Sequence, residues 1–167
     1  DGKGLWTTGL GHPDRCFLTD IDPARPGLEI FYHIEPSQKE NGVCVVDAKT
    51  GEIVWGLKEQ TYHVGSGNCA DIDPFHPGQE VWACEDPKGD PKQEQYKGNP
   101  PKWLLTAQGE LLARDEKVPS VETVYWDADG LKELVGGSRI YKYQGQPVFQ
   151  GLVGGRSFWA DIIGDWR

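Results

Sequence analysis

The sequence contains no methionine and no apolar run of about 18 residues, the length that a membrane-spanning helix needs. No segment is therefore predicted to cross a membrane. Basic residues are few, with 17 Lys and Arg against 26 Asp and Glu, so the net charge is −9. Because phosphate binding needs clustered basic side chains, nucleic acid is not an expected partner.

Signal-peptide and zinc-site patterns are also missing. The chain begins at Asp1 without a leader pattern, and we interpret it as a piece of a longer polypeptide, with a short processed protein as the alternative. No two of its four cysteines are separated by two residues, so a zinc site is not predicted. Two disulfides and four buried free thiols both remain open for these cysteines: Cys16, Cys44, Cys69 and Cys84.

An acidic segment, which we call the cassette, is the main feature that the sequence does contain. Residues 20–29 and 71–80 both read Asp-Ile-Asp-Pro, followed by Pro-Gly and a Glu. A shorter copy begins at Asp127, and a trace of a fourth begins at Asp161. Self-similarity at about 50 residues is typical of propellers and solenoids.

The cassette residues suggest an oxygen cage for a hard cation. Ca²⁺ suits this pattern better than Mg²⁺, because it accepts six to eight oxygen ligands in irregular geometry. Several such ions would be mostly structural; the alternative is that the acidic side chains only cap tight turns. The predicted ligands are Asp20, Asp22 and Glu29 in the first cassette, Asp71, Asp73 and Glu80 in the second, and Asp127, Asp129 and Glu133 in the third.

Short β-branched and aromatic runs between the cassettes predict strands and an all-β fold. Three hairpins close the repeats, and each loop contains a late glycine expected in the left-handed conformation: Gly51, Gly109 and Gly145. Four strands per repeat predict a partial β-propeller. The predicted blades cover about 14–58, 67–115 and 121–151, with the start of a fourth at 157–167.

A propeller needs at least about four blades to close. We therefore expect the remaining blades to come from the same parent protein, either in one continuous chain or as a separate chain. His12 and His63 precede the first two cassettes at related places, where strands would enter the rim of the central channel. His33 lies in a strand and His76 in a cassette loop.

Five segments taken together resemble the rhamnogalacturonan lyases of polysaccharide lyase family 11. They are residues 1–12, the two full cassettes, residues 47–56 and residues 160–167. The resemblance implies a secreted protein, extracellular or periplasmic, that degrades pectin. It also implies an eight-bladed, calcium-rich propeller, of which this chain is a middle-to-late section.

The family's reaction is a β-elimination at a uronate, so the resemblance implies an acidic polysaccharide as substrate. A base removes the C5 proton while a positive charge neutralises the carboxylate. Calcium would allow an acidic protein to bind an acidic sugar, and an ion at the active site is left open.

The functional residues of the family match this sequence only in part. His12 matches a histidine of the family's active-site channel and is the predicted catalytic residue, although Pro13 interrupts the family motif. Predicted substrate contacts are His63, Ser66, where the family has Arg, and Arg156, displaced from a family Lys. Because of these departures, a non-catalytic propeller that binds carbohydrate or another partner is the alternative. A calcium-stiffened propeller without a carbohydrate role is a third interpretation.

Overall fold

Twelve β-strands and one short 3₁₀ turn make up the secondary structure of the residues that the structure describes. The computed structural model describes residues 2–86, 100–119, 122–136 and 139–150. Within these ranges, no helix has the length and apolar character needed to cross a membrane. The strands form three four-stranded antiparallel sheets, each connected in chain order. The predicted all-β class is confirmed.

The first sheet contains β1 (Pro13–Thr19), β2 (Glu29–Ile34), β3 (Val43–Asp47) and β4 (Ile53–Gly56). The second contains β5 (Val64–Ala70), β6 (Glu80–Glu85), β7 (Lys102–Leu105) and β8 (Leu111–Arg114), followed by the 3₁₀ turn Asp115–Lys117. The third contains β9 (Glu122–Val124), β10 (Glu133–Gly136), β11 (Arg139–Tyr141) and β12 (Pro147–Gln150). The predicted start of a fourth unit, 157–167, lies outside the described residues.

All three predicted hairpins form, as β3–β4, β7–β8 and β11–β12. Gly51 and Gly109 have φ of 75° and 86°, as expected of a glycine that closes a hairpin. In the third hairpin the prediction was wrong, because Gln144 has the positive φ of 55° and Gly145 does not. There, the N–H of Gly145 donates to the Lys142 carbonyl at 2.9 Å, so the turn begins directly after β11.

The sheets pack face to face in series. One buried cluster joins the first two sheets and includes Phe31, Val45, Val81 and Trp103. A second cluster joins the second and third sheets around Trp82. Fully burying side chains of this size contributes about 1.5–3 kcal/mol each, so the middle sheet is held on both faces.

A backbone hydrogen bond recurs between neighbouring sheets. The N–H of Gln79 donates to the Ile21 carbonyl at 2.9 Å, and the N–H of Lys132 donates to the Asp71 carbonyl at 2.8 Å. Each donor directly precedes a cassette glutamate, and each acceptor lies near the start of the preceding cassette. Consecutive sheets are therefore joined through their cassettes.

A tryptophan contact recurs as well. Trp55 Nε1 donates to the Ala107 carbonyl at 2.7 Å. The Trp55 ring also packs directly on Gly109, so closely that a Cβ at position 109 would lie 2.7 Å from the ring. Trp6 Nε1 donates to the Ala48 carbonyl at 3.1 Å, and its ring packs in the same way on Gly51. Trp6 thus makes the contact with the first sheet that Trp55 of β4 makes with the second.

Candidate functional site

Polar side chains gather at both ends of β1 and β5. His12 and His63 come directly before these strands, whereas the first and second cassettes begin directly after them. Each strand has 7 residues and therefore spans about 20 Å. We call the two regions the histidine end and the cassette end.

The histidine end brings four side chains together. His12 Nδ1 lies 3.0 Å from Glu35 Oε2. His63 Nε2 lies 3.4 Å from Asp14 Oδ2 and 3.9 Å from Glu35 Oε1. One ligand atom each from His12, Asp14 and Glu35 lie within 4.8 Å of one another. Imidazole nitrogen and carboxylate oxygens at this separation form a donor set that fits a divalent cation.

Backbone hydrogen bonds fix both histidines at the entry to their strands. The N–H of Glu35 donates to the His12 carbonyl at 3.0 Å, just beyond β2. In the second sheet, the N–H of Asp86 donates to the His63 carbonyl at 2.9 Å, just beyond β6. The two histidines therefore hold equivalent places in neighbouring sheets, as the sequence predicted.

Gly65 allows the two sheets to approach at the histidine end. A Cβ at this position would lie 2.9 Å from the Asp86 Cβ, 3.3 Å from Asp14 Oδ2 and 3.4 Å from His63 Nε2. Any side chain at position 65 would therefore press on the Asp14–His63 contact. Ser66, the next residue, is exposed and lies opposite Cys84 in the sheet.

His33 belongs to the core rather than to the histidine end. It is fully buried, and its Nδ1 lies 2.8 Å from the Val64 carbonyl. A carbonyl can only accept, so Nδ1 carries the proton. Burial lowers the pKa of His33 below its usual value and keeps the ring neutral. Its contact with β5 helps to join the first two sheets.

In the first two cassettes, the glutamate is buried and binds the backbone of its own cassette. Glu29 Oε2 accepts hydrogen bonds from the N–H groups of Ile21 and Asp22 at 3.0 and 3.3 Å. Glu80 Oε2 accepts the equivalent bonds from Ile72 and Asp73 at 3.0 and 2.9 Å. The glutamates thus hold the cassette turn in place.

The cassette aspartates differ in environment. Asp22 and Asp73 are buried, and their Oδ1 atoms accept hydrogen bonds from the N–H groups two residues later at 3.1 and 3.0 Å. The second oxygen of Asp73 lies 3.2 Å from Nδ1 of His76, which is half-buried. Asp20 is exposed, and Asp71 is half-buried. The buried pair therefore caps turns, and calcium binding by these aspartates stays a prediction.

One buried oxygen in the second cassette has no hydrogen-bond partner. Glu80 Oε1 is this atom, in a side chain with no solvent exposure. Burial, with the charges of Asp71 and Asp73 added, raises the pKa of Glu80 to about 7. A cation bound there would satisfy the oxygen and favour the ionised form, so this part of the predicted ligand set fits calcium. Among the described residues, however, the acidic ligand atoms of the first two cassettes do not converge within 4.8 Å.

The third cassette does converge. Asp127, Asp129 and Glu133 place carboxylate oxygens within 4.8 Å of one another. The ammonium of Lys142 lies among them, 2.9 Å from Asp127 Oδ2, in close contact with Asp129, and 3.6 Å from Glu133 Oε1. The Oε2 atom of Glu133 accepts a hydrogen bond from the Trp126 N–H at 2.9 Å, as in the other cassettes.

Three residues of these sites were missed by the sequence analysis. Asp14 follows His12 by two positions, and Glu35 follows the strand that pairs with β1, so strand pairing is the signal that locates both. Lys142 lies just beyond β11 and gives no signal until the pairing of β10 with β11 is known. Arg156 lies outside the described residues, so its predicted role stays a prediction.

Comparisons with known proteins agree over the whole chain. A family described as the C-terminal domain of rhamnogalacturonan lyase family 11 matches residues 1–167. The chain is 35% identical to the rhamnogalacturonan endolyase YesW of Bacillus subtilis (strain 168) over 180 residues, covering 100% of this chain and 26% of that protein. It is also 35% identical to the rhamnogalacturonan exolyase YesX of that organism over 190 residues, covering 100% and 29%.

Solved structures give the same result. The structure of the Bacillus licheniformis rhamnogalacturonan lyase PL11 aligns with a TM-score of 0.71 at 36% identity, covering 100% of this chain and 28% of that chain. The exotype rhamnogalacturonan lyase YesX aligns with a TM-score of 0.72 at 35% identity, covering 90% and 26%. The chain thus spans less than a third of the curated relatives that it matches. It belongs to rhamnogalacturonan lyase family 11 and corresponds to the family's C-terminal domain.

Proposed function

We propose that this chain is part of a secreted, calcium-dependent polysaccharide lyase that cleaves rhamnogalacturonan by β-elimination. The single observation that carries the proposal is the convergence of His12, Asp14, Glu35 and His63 at one end of two neighbouring sheets. Family membership supplies the reaction class. Secretion follows from the proposed substrate, because a polymer of this size has to be cut before it can enter a cell.

We propose further that the three sheets are consecutive blades of a β-propeller. They are meanders packed in series, and their joining contacts repeat from one sheet to the next. Trp6 repeats the contact of Trp55, so the segment around Trp6 would be the last strand of a preceding blade. Blades elsewhere in the parent protein would complete the ring, since the relatives are longer than this chain.

The reaction needs a base and a positive charge at the uronate. When the base takes the C5 proton, the C–H electrons form the C4–C5 double bond. The C4–O bond then breaks, and the leaving oxygen takes up a proton. Calcium, held by the carboxylates of Asp14 and Glu35, would supply charge that neutralises the uronate carboxylate and acidifies the C5 proton.

Two roles for His12 fit the geometry. As a positioning residue, its imidazole would hold Glu35 in place for the ion. As a base, its Nδ1–H donates a hydrogen bond to Glu35, and this tautomer leaves a lone pair on Nε2 for the C5 proton. The His12 side chain is 72% exposed, so a polymer can reach it. His63, with a side chain only 18% exposed, is better placed to orient Asp14 and Glu35 than to contact the sugar.

The test uses the intact parent protein with rhamnogalacturonan and Ca²⁺, following the ultraviolet absorbance of the unsaturated product. Glu35→Gln and His12→Ala should strongly reduce the signal, whereas the exposed Glu52→Gln serves as a matched control. A calorimetric Ca²⁺ titration of His12→Ala separates the two roles. Weakened Ca²⁺ binding assigns His12 the positioning role, and unchanged binding assigns it as the base. If the wild-type protein forms no unsaturated product from any uronide polymer, the lyase proposal is wrong.

A non-catalytic carbohydrate-binding propeller is the second candidate. The observation in its favour is Ser66, an exposed hydroxyl where the family resemblance calls for Arg. A wild-type protein that binds rhamnogalacturonan in a glycan array without cleaving it would establish this function. Ser66→Arg would then be the variant expected to raise activity.

A further inference from the structure

The ammonium of Lys142 is bound by all three carboxylates of the third cassette. It contacts Asp127 and Asp129 directly, and Glu133 Oε1 lies 3.6 Å away. That Glu133 oxygen is fully buried and accepts no hydrogen bond. A positive charge therefore already lies at the point on which the cassette oxygens converge.

The other two cassettes are built differently at this point. In the second cassette, Glu80 Oε1 is equally buried and has no hydrogen bond, and no ion pair with a lysine or arginine forms there among the described residues. In the first cassette, Arg25 forms a long ion pair with Glu29, at 3.9 Å from Nε to Oε1, and no ion pair of Arg25 with Asp20 or Asp22 forms in the described part of the chain. Among the residues that the structure describes, the third cassette alone has a cationic side chain that pairs with both aspartates and the glutamate.

Strand register explains the difference. In the first sheet, Glu29 pairs with Asp47 on the adjacent strand. In the second sheet, Val81 pairs with Leu105, so the preceding residue, Glu80, lies opposite the residue that follows Leu105. In the third sheet, Leu134 pairs with Tyr141, so Glu133 lies opposite the residue that follows Tyr141. The opposite residue is therefore Thr106 in the second sheet and Lys142 in the third. The Thr106 hydroxyl accepts hydrogen bonds from the N–H groups of its own hairpin, whereas Lys142 reaches across to the cassette.

From this register we infer that Lys142 is a built-in cation, which replaces a divalent ion in the third cassette and prevents calcium from binding there. An ammonium provides three donors and one positive charge without any dependence on the metal concentration. Calcium could bind only after displacing this side chain.

The test measures Ca²⁺ binding to the intact parent protein by calorimetry, independently of lyase activity. Lys142→Met keeps the apolar stem and removes the charge. We expect it to gain one Ca²⁺ per molecule over wild type, with affinity at the third cassette raised roughly tenfold or more. Lys142→Arg keeps the charge and should gain none. Thr106→Lys is the reciprocal variant, and it should lose one ion if the second cassette binds calcium.

Two results would overturn the inference: an unchanged Ca²⁺ count in a folded Lys142→Met protein, or an anomalous scattering peak between Asp127 and Glu133 in Ca²⁺-soaked wild-type crystals. The crystal measurement decides the matter even if Lys142→Met fails to fold. Loss of lyase activity in the wild type would leave both readouts intact, so failure of the proposed function and failure of this inference are distinguishable.

Discussion

The histidine end and the cassette end use the same carboxylate groups in opposite ways. At the cassette end, Glu29 and Glu80 are fully buried, and each has one oxygen occupied by two backbone N–H groups. At the histidine end, the side chain of Glu35 is 45% exposed and faces two imidazoles. Buried acids held by the backbone stabilise the fold, whereas acids open to solvent remain available for a ligand. Burial thus separates the structural carboxylates from those that we propose to be functional, at opposite ends of the same two strands.

The largest expected effect is on activity at the histidine end. Glu35→Gln in the intact parent protein should lower kcat/KM by about 10²–10³-fold, because it weakens the charge that orients His12 and would hold the cation. The unfolding free energy should change by less than about 1 kcal/mol, since the side chain is exposed. Product absorbance and urea denaturation measure the two quantities. A large stability loss with unchanged activity would reverse the functional assignment of this end.

At the cassette end we expect the larger effect on stability. Glu80→Ala removes the acceptor for the N–H groups of Ile72 and Asp73 and leaves a buried gap, so we expect a destabilisation of about 2–4 kcal/mol. Urea denaturation of the intact parent protein measures it. Glu52 is an exposed glutamate between β3 and β4, and Glu52→Ala is the control. Its unfolding free energy should stay within about 0.5 kcal/mol of the wild-type value. Equal losses in the two variants would contradict the structural role of Glu80.

His33 sharpens the comparison through pH. Because burial lowers its pKa below 6.5, the unfolded chain binds more protons than the folded chain once the pH drops below that value. Stability should therefore decline as the pH falls below 6.5 and level off below the folded-state pKa, with a slope of at most about 1.4 kcal/mol per pH unit. Denaturation of wild type and His33→Gln at several pH values should show this component only in the wild type. An identical pH dependence would rule out His33 as its source.

The smallest expected effect concerns the cysteines. All four are free; Cys16 in β1 is exposed, while Cys44, Cys69 and Cys84 are buried. Burial raises the pKa of Cys44 to about 12 and also raises that of Cys69, so neither forms a reactive thiolate near neutral pH. Alkylation of the folded protein, followed by mass spectrometry of its peptides, should modify Cys16 first. Early modification of Cys44 would show that the first sheet opens readily.

The strands were predictable because their residues are locally informative. Runs such as Val43–Asp47 are β-branched and apolar, and a cassette or a glycine loop bounds each of them. The cassette glutamates were identified as important, but their binding to backbone N–H groups could not be read from spacing. Both a metal cage and a capped turn place acidic residues at these intervals, and only burial and hydrogen bonding separate the two.

The sequence by itself determined the all-β class, the succession of three four-stranded units and the family, because these depend on local residue patterns and on motifs in fixed order. The tertiary structure alone decided which side chains meet. Glu35 reaches His12 because β2 runs antiparallel to β1, and Lys142 reaches Glu133 because β11 pairs with β10. Such contacts follow from strand register, and register is set by the packing of whole sheets rather than by any single segment.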